Sequence, residues 1–383
     1  MNLLNTYKTN LCRNALEHWQ IFQGVREAIQ NMLDSDGEYY YQFLDDKLTL
    51  GNKNIKLHPQ VLLMGKSDKR DDVSTVGRFG TGFLFGISVL LDNNVDIEMV
   101  NADVIWKPCF EYCDTYQDDI VVIKEYENPR PSCNYEVVIS NLQEADVHNI
   151  KETCLLFQER EILAETTLGN IITNPEDGQG GEIFVKGLFV TQNKCLKYSY
   201  DFLPEHLPLN QDRNLADTWE LKQRTALMWK QVEDVDLLSE AIKSNSEDCQ
   251  LVSSSWNVGY GNTSHAASER LAEEFFEDKG DCLITDDYHD YKRLRDDGNK
   301  VELVSNKALY ESVIASDTYQ EKMDNITIIE REDPNEIIEK VLTLLWQEDI
   351  IPVDSIDEQN EGVGTDIKLL LYQLRDGGIE WRR

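Results

Sequence analysis

The segment 25–34 restricts the fold of this chain more than any other. At about 100° per residue, Glu27, Asn31 and Asp34 fall within about 60° of one another on a helix, while Val25, Ala28, Ile29, Met32 and Leu33 cover the opposite side. One side packs against a core and the other is polar. Such a stripe is either an ordinary solvated face or the polar wall of a pocket. A second segment bears on that choice: Gly65-Lys-Ser-Asp-Lys69, followed by Gly77-Arg-Phe-Gly-Thr-Gly-Phe83. Glycines at 77, 80 and 82 suit a loop whose backbone amides come close to a ligand, although turns and bulges use glycine for conformation alone. The apolar run 84–91 reads as a buried helix, so the loop opens onto a helix N-terminus, which favours anions.

The order E-x-x-x-N-x-x-D, G-x-S-x-K, G-x-F-G-x-G-F resembles the GHKL ATPases, the superfamily of gyrase, ninety-kilodalton heat-shock chaperones, histidine kinases and MutL. It is most similar to their chaperone- and MORC-like branch. The resemblance covers residues 20–92. It implies an α/β chain whose N-terminal domain is a Bergerat-type α/β sandwich, with ATP and Mg2+ as cofactors. By position, Glu27 matches the general base and Asn31 the magnesium ligand. Asp34 lies near the sugar or the adenine-side water network. Ser67 and Lys69 belong to a lid over the nucleotide, and Gly77, Phe79, Gly80, Thr81, Gly82 and Phe83 form the phosphate-binding loop. The resemblance further implies slow hydrolysis that drives a conformational switch or homodimerisation on ATP binding.

Two departures fall on the base side. Where the family has D-x-G-x-G, this chain reads Leu48-Thr-Leu-Gly-Asn-Lys-Asn-Ile55. Asn52 is the best substitute for the adenine-binding aspartate, with Asp45 or Asp46 as alternatives if the strand is shifted. The family's later glycine-threonine pair is replaced by Asn134-Tyr135. Altered or relaxed base selection is the expectation.

Charge supplies a second reading. With 37 Lys and Arg against 71 Asp and Glu, the chain carries a formal net charge of -34. It should repel naked nucleic acid. The densest basic cluster, 66–70, already belongs to the lid. High acidity serves solubility, or else marks a non-catalytic acidic scaffold or nucleic-acid mimic that captures a basic protein partner. Small acidic ATPases of this kind also suit bacterial or phage conflict systems, by analogy. No signal-peptide run opens the sequence and no stretch of about eighteen apolar residues occurs, so a cytoplasmic protein is expected. Eight cysteines without a C-x-x-C pair argue against a zinc ribbon or a disulfide framework.

Along the chain, a helical segment to Asp34 leads to a strand at 47–50 and a lid region through Arg78. Further strands are expected at 95–100, 120–126 and 135–139. The stretch 181–190 reads as a strand broken by Gly187 that pairs in a hairpin with 168–173. Asn210 or Asp212 caps a turn, and Arg213 is placed to contact phosphates from the side. A helix at 218–231 and a linker at 244–264 precede a smaller β-α-β-α domain. There Asp286, Asp287, His289 and Asp290 mark either a metal site or, more simply, a helix start. The expected domains are 1–145, 146–243 and 265–383.

Overall fold

The structure, a computed structural model, describes residues 1–35, 37–63, 82–175, 180–207, 218–252 and 263–328, with 341 and 343. It is a mixed α/β chain in two compact units. The first comprises residues 1–273 and 306–316, the second 274–305 and 317–383.

The first unit opens with β1 (Leu3–Cys12), α1 (Ile21–Leu33), β2 (Tyr39–Leu44) and β3 (Lys47–Asn52). Then come α2 (Gly82–Asp92), β4 (Asp96–Asn101), β5 (Val104–Cys113), β6 (Asp118–Glu127) and β7 (Tyr135–Ser140). The strands form one seven-stranded sheet in the order β1-β6-β5-β4-β7-β3-β2, with antiparallel neighbours throughout. Alternation decides its faces. Leu48, Leu50, Met99, Val137, Ile139, Trp106, Val121 and Ile123 point to one side and join a core with Val25, Ile29 and Met32 of α1 and Leu84, Ile87 and Leu90 of α2. The segment to Asp34 is therefore not helical throughout. Residues 3–12 alternate as an edge strand, with Tyr7 and Leu11 turned toward the core. The β5 strand, absent from the sequence reading, contains Pro108 beyond its last pair with β4 at Trp106, where it pairs only with β6, a place where a missing N–H is tolerated.

Two glycines set how α1 and α2 meet. A Cβ built on Gly86 would lie 2.9 Å from the Gly24 carbonyl oxygen and 3.1 Å from Glu27 Cβ. One built on Gly24 would lie 3.1 Å from the Gly86 oxygen. The helices thus touch backbone to backbone. The first turn of α1 is held where Gln20 N–H donates to Gln23 Oε1 at 2.7 Å, a reciprocal cap.

After α3 (Glu144–Glu152), a second sheet is built from β8 (Ile162–Thr166), β9 (Gly169–Ile172), β10 (Glu182–Val185), β11 (Leu188–Gln192) and β12 (Ser199–Phe202). Its order is β11-β10-β12-β9-β8. The expected strand over 181–190 is instead a tight hairpin, with Val185 opposite Leu188 across Lys186-Gly187. Its expected pairing with 168–173 does not form, because β9 lies between β8 and β12. Next come α4 (Thr218–Trp229) and α5 (Val235–Lys243). Trp229 Nε1 donates to the Tyr200 hydroxyl at 2.8 Å. That hydroxyl donates in turn to the buried Asp248 Oδ2 at 2.6 Å, fixing α4 to β12. Cys154 and Leu188 extend the core of the first sheet into this region, so the boundary expected at 145 separates two sheets of one unit.

Next along the chain are α6 (Thr263–Lys279), β13 (Leu283–Thr285), α7 (Tyr288–Asp296), β14 (Val301–Leu303), α8 (Lys307–Ile314) and α9 (Asp317–Asn325). The expected linker at 244–264 gives way to α6 at Thr263. In the second unit β13 and β14 pair in parallel, Phe276 stacks on Tyr319 at 5.8 Å, and the Tyr319 hydroxyl accepts from Ile284 N–H at 3.4 Å. Asp287 caps α7 by accepting from His289 and Asp290 N–H at 2.7 and 2.9 Å, the helix-start role. The α8 helix belongs with the first unit, where Asn306 Nδ2 donates to the Ile242 carbonyl at 2.7 Å. All eight cysteines are free thiols, and Cys109 and Cys113 lie four residues apart on β5. No helix among the described residues is long and apolar enough to cross a membrane.

The Gly24–Gly86 crossing makes a definite prediction. Alanine in place of a helical glycine normally gains roughly 1 kcal/mol of helix propensity. Gly86→Ala should nonetheless destabilise the protein by about 1–3 kcal/mol, because its methyl meets the Gly24 carbonyl. Urea unfolding measures this directly, and a stabilised variant would show that the helices are farther apart.

Candidate functional site

The polar stripe of α1 is not solvated. Glu27 is 2% exposed, Gln30 1% and Asp34 6%, although all three lie away from the residues that α1 packs on the sheet. Carboxylates and amides are rarely buried without partners, since desolvation of each costs more than burial of an apolar side chain returns. Glu27 packs against α2 at Gly86, one turn after the residue, Gly82, at which that helix begins. Gln30 Oε1 and Asn31 Nδ2 are buried with no hydrogen-bond partner among the described residues. Gln30 was not singled out from sequence. A glutamine on a helix face reads as surface, and only its burial beside Glu27 and Asp34 distinguishes it.

Asp34 has a partner that sequence reasoning also missed. Its side chain is fully buried and pairs with Lys186 Nζ at 2.7 Å. Lys186 and Gly187 form the two-residue β10–β11 turn at φ 52° and 77°. Such turns need two residues at positive φ, for which Asn-Gly is the usual choice. Lysine at the first position is costly, a departure from local preference that marks sites where a side chain must be aimed. Lys186 N–H donates to the Phe202 carbonyl at 2.9 Å, and Gly187 N–H to Asp201 Oδ1 at 2.7 Å. These bonds fix the turn and direct the ammonium at the end of α1.

Asn52 lies at the C-terminal end of α1. It is 1% exposed, and its Nδ2 donates to the Met32 carbonyl at 2.9 Å and the Gly37 carbonyl at 3.3 Å, tying β3 to the last turn of α1. Register places Asn52, Tyr135 and Asn101 side by side on neighbouring strands, their side chains on the α1 side of the sheet. Asn101 clamps Leu57, accepting from its N–H at 2.8 Å and donating to its carbonyl at 2.9 Å. The alternatives Asp45 and Asp46 sit in the β2–β3 turn, at the other end of β3 from Asn52, and do not reach this row. Asn134 points elsewhere: its Nδ2 donates to the Tyr40 hydroxyl at 3.3 Å, and that hydroxyl donates to Glu136 Oε1 at 2.5 Å. Burial, together with Glu136, pushes the Tyr40 phenol up to about 12.

The structure therefore brings Glu27, Asn31, Asp34 and Asn52 onto or against one helix. Gly82 is the first residue of α2, and Phe83 packs on the core. Ser67, Lys69, Gly77, Phe79, Gly80, Thr81 and Arg213 lie outside the described residues.

Comparison with known proteins touches the second sheet most directly. Residues 145–234, from α3 through α4, match the Mycoplasma pneumoniae MPN635 N-terminal domain. The chain is also similar to an uncharacterised protein of Mycoplasma pneumoniae strain M129, 22% identical over 217 residues, which cover 53% of this chain and 86% of that protein.

Asp201, which braces the Lys186 turn, has a titration that can be measured. Burial pushes its carboxyl up to about 6 from an ordinary 3.8, against the lowering effect of the Gly187 N–H. The folded state thus holds this proton more tightly than the unfolded chain does. The group's penalty is absent below about pH 4 and grows as pH rises through about 6. Relative to Asp201→Asn, the wild type should lose on the order of 2 kcal/mol of stability between pH 4.5 and 7. Parallel urea-unfolding profiles for the two proteins would mean that the carboxyl is solvated.

Proposed function

We propose that the first unit binds a magnesium nucleoside triphosphate, ATP foremost, and hydrolyses it slowly in a Bergerat-type site of the GHKL kind. The observation that carries this reading is the buried polar stripe of α1 lying against the opening turns of α2. An interior lined by Glu27, Gln30, Asn31 and Asp34 requires polar partners, and two amide atoms within it have none among the described residues. Carboxylates alone would repel a triphosphate, but the donor set suits one that arrives with a hard cation. Asn31 offers a neutral carbonyl oxygen of the type such a cation takes.

Each residue then has a distinct part. Asn31 would hold the magnesium, which when bound offsets phosphate charge and orients the terminal phosphate. Glu27, kept in place by its packing on Gly86, would accept a proton from the attacking water. Residues 77–83 would cradle phosphate oxygens with backbone amides, ending at the N-terminus of α2. Ser67 and Lys69 would close over the nucleotide. Asn52, with its amide nitrogen committed to the end of α1, offers a base only its oxygen, an acceptor as aspartate would be. Lys186 links this helix to the second sheet, so nucleotide at α1 and the placement of that sheet are coupled through Asp34. Closure of the lid and formation of a homodimer follow if triphosphate binds the closed state better than the open one.

A panel of nucleotides with magnesium, read by thermal unfolding and phosphate release, tests the proposal. At a hundredfold excess over Kd a bound nucleotide should stabilise the fold by about 2.7 kcal/mol. No shift with any nucleotide would leave the acidic scaffold, a chain of formal net charge -34 that captures a basic protein, as the better account. Glu27→Gln should retain binding and lose phosphate release, whereas Asn31→Ala should weaken binding only when magnesium is present. Equal loss of binding in both variants, with or without magnesium, would contradict these roles. Light scattering should show a dimer with magnesium and a non-hydrolysable triphosphate, forming more readily as salt screens the acidic surfaces. An unchanged mass in all nucleotide states would remove dimerisation from the mechanism.

A further inference from the structure

The row Asn52–Tyr135–Asn101 contains one phenol hydroxyl, that of Tyr135. Tyr135 is 6% exposed, and its hydroxyl is buried with no hydrogen-bond partner among the described residues. Both neighbours in the row are committed. Asn52 gives its amide nitrogen to Met32 and Gly37, and Asn101 gives both amide atoms to Leu57. Buried phenols normally find a partner, and a ring wanted only for packing would be served by phenylalanine without an unmet polar group. The row lies on the α1 side of the sheet, at the end of α1 to which Asn52 is tied.

We infer that Tyr135 is a specificity-determining residue whose hydroxyl bonds the edge of the nucleotide's base, and that it admits 6-amino and 6-oxo purines alike. The inference rests on the nucleotide reading above. A phenol hydroxyl both donates and accepts, so it can face either the amino group of adenine or the carbonyl of guanine. Asn52 beside it presents an acceptor, and both purines carry N–H groups that an acceptor can meet. A site that reads a base with one fixed acceptor and one reversible hydroxyl has no group that either purine leaves unsatisfied, and such unsatisfied groups are the source of strong discrimination.

The test compares wild type with Tyr135→Phe in the full chain. Three measurements are made: the urea midpoint without ligand, the affinities for Mg·ATP and Mg·GTP, and the affinity for magnesium tripolyphosphate, which has no base. The wild type should bind ATP and GTP within about tenfold of each other. Tyr135→Phe should weaken both by roughly three- to tenfold, the worth of one neutral hydrogen bond. Tripolyphosphate binding should not move, and the ligand-free midpoint should be unchanged or higher, since an unmet buried hydroxyl is removed. Nucleotide affinity equal to or tighter than wild type, or a fall in the ligand-free midpoint, would overturn the inference and leave the nucleotide reading standing. So would a wild-type preference well beyond tenfold, or a matching loss for tripolyphosphate. Failure of the wild type to bind any nucleotide would overturn both.

Discussion

The approach of α1 to α2 at Gly24 and Gly86 is the contact on which the rest of the first unit depends. With no side chain at either position, the helices meet at backbone distance, and that closeness carries Glu27 into the interface instead of out to water. A larger residue at either glycine would separate the helices and open the polar stripe to solvent. The sheet beneath fixes the depth of the arrangement. Leu48, Leu50, Met99 and Val137 form an apolar floor for Val25, Ile29 and Met32, and the same register turns Asn52, Tyr135 and Asn101 toward the α1 side of the sheet.

Two polar ties complete the site from opposite directions. Asn52 joins the floor to the last turn of α1, while Lys186 joins that turn to a different sheet. The Lys186–Asp34 pair is partly shielded from water, and an ion pair of this kind holds a geometry more than it adds stability. The bracing of its turn by Asp201 and the Phe202 carbonyl shows how a lysine in an unfavourable backbone conformation is kept there. The segment 145–234, shared in pattern with the MPN635 N-terminal domain, contains that hairpin.

Much of this was legible from the residues, and the failures have physical causes. The helical period around Glu27, Asn31 and Asp34 and the apolar run after Gly82 each gave a correct helix, because three or more turns of consistent patterning leave few alternatives. The β1 strand was missed because its inward positions, Asn5, Tyr7 and Thr9, are polar or amphipathic. Asn5 and Tyr7, with Trp106, donate to the buried Glu125, and Thr9 donates to the Val121 carbonyl. The β5 strand was hidden by Pro108. At Lys186-Gly187 a lone glycine was read as a break, since lysine is not a residue that local preference puts in a tight turn. Lys186 could not be assigned to Asp34 from sequence at all, since the two are 152 positions apart and only the packing of two sheets unites them.

The central claim is that the buried face between α1 and the start of α2 receives a magnesium triphosphate. Amide hydrogen exchange with and without Mg·ATP locates any ligand on the chain and tests that claim most directly. Slowed exchange should concentrate in residues 21–34, 52–57 and 82–86, with the hairpin at 182–192 responding through Lys186. Exchange unchanged in α1 and α2, or slowed only on acidic surfaces remote from them, would contradict it.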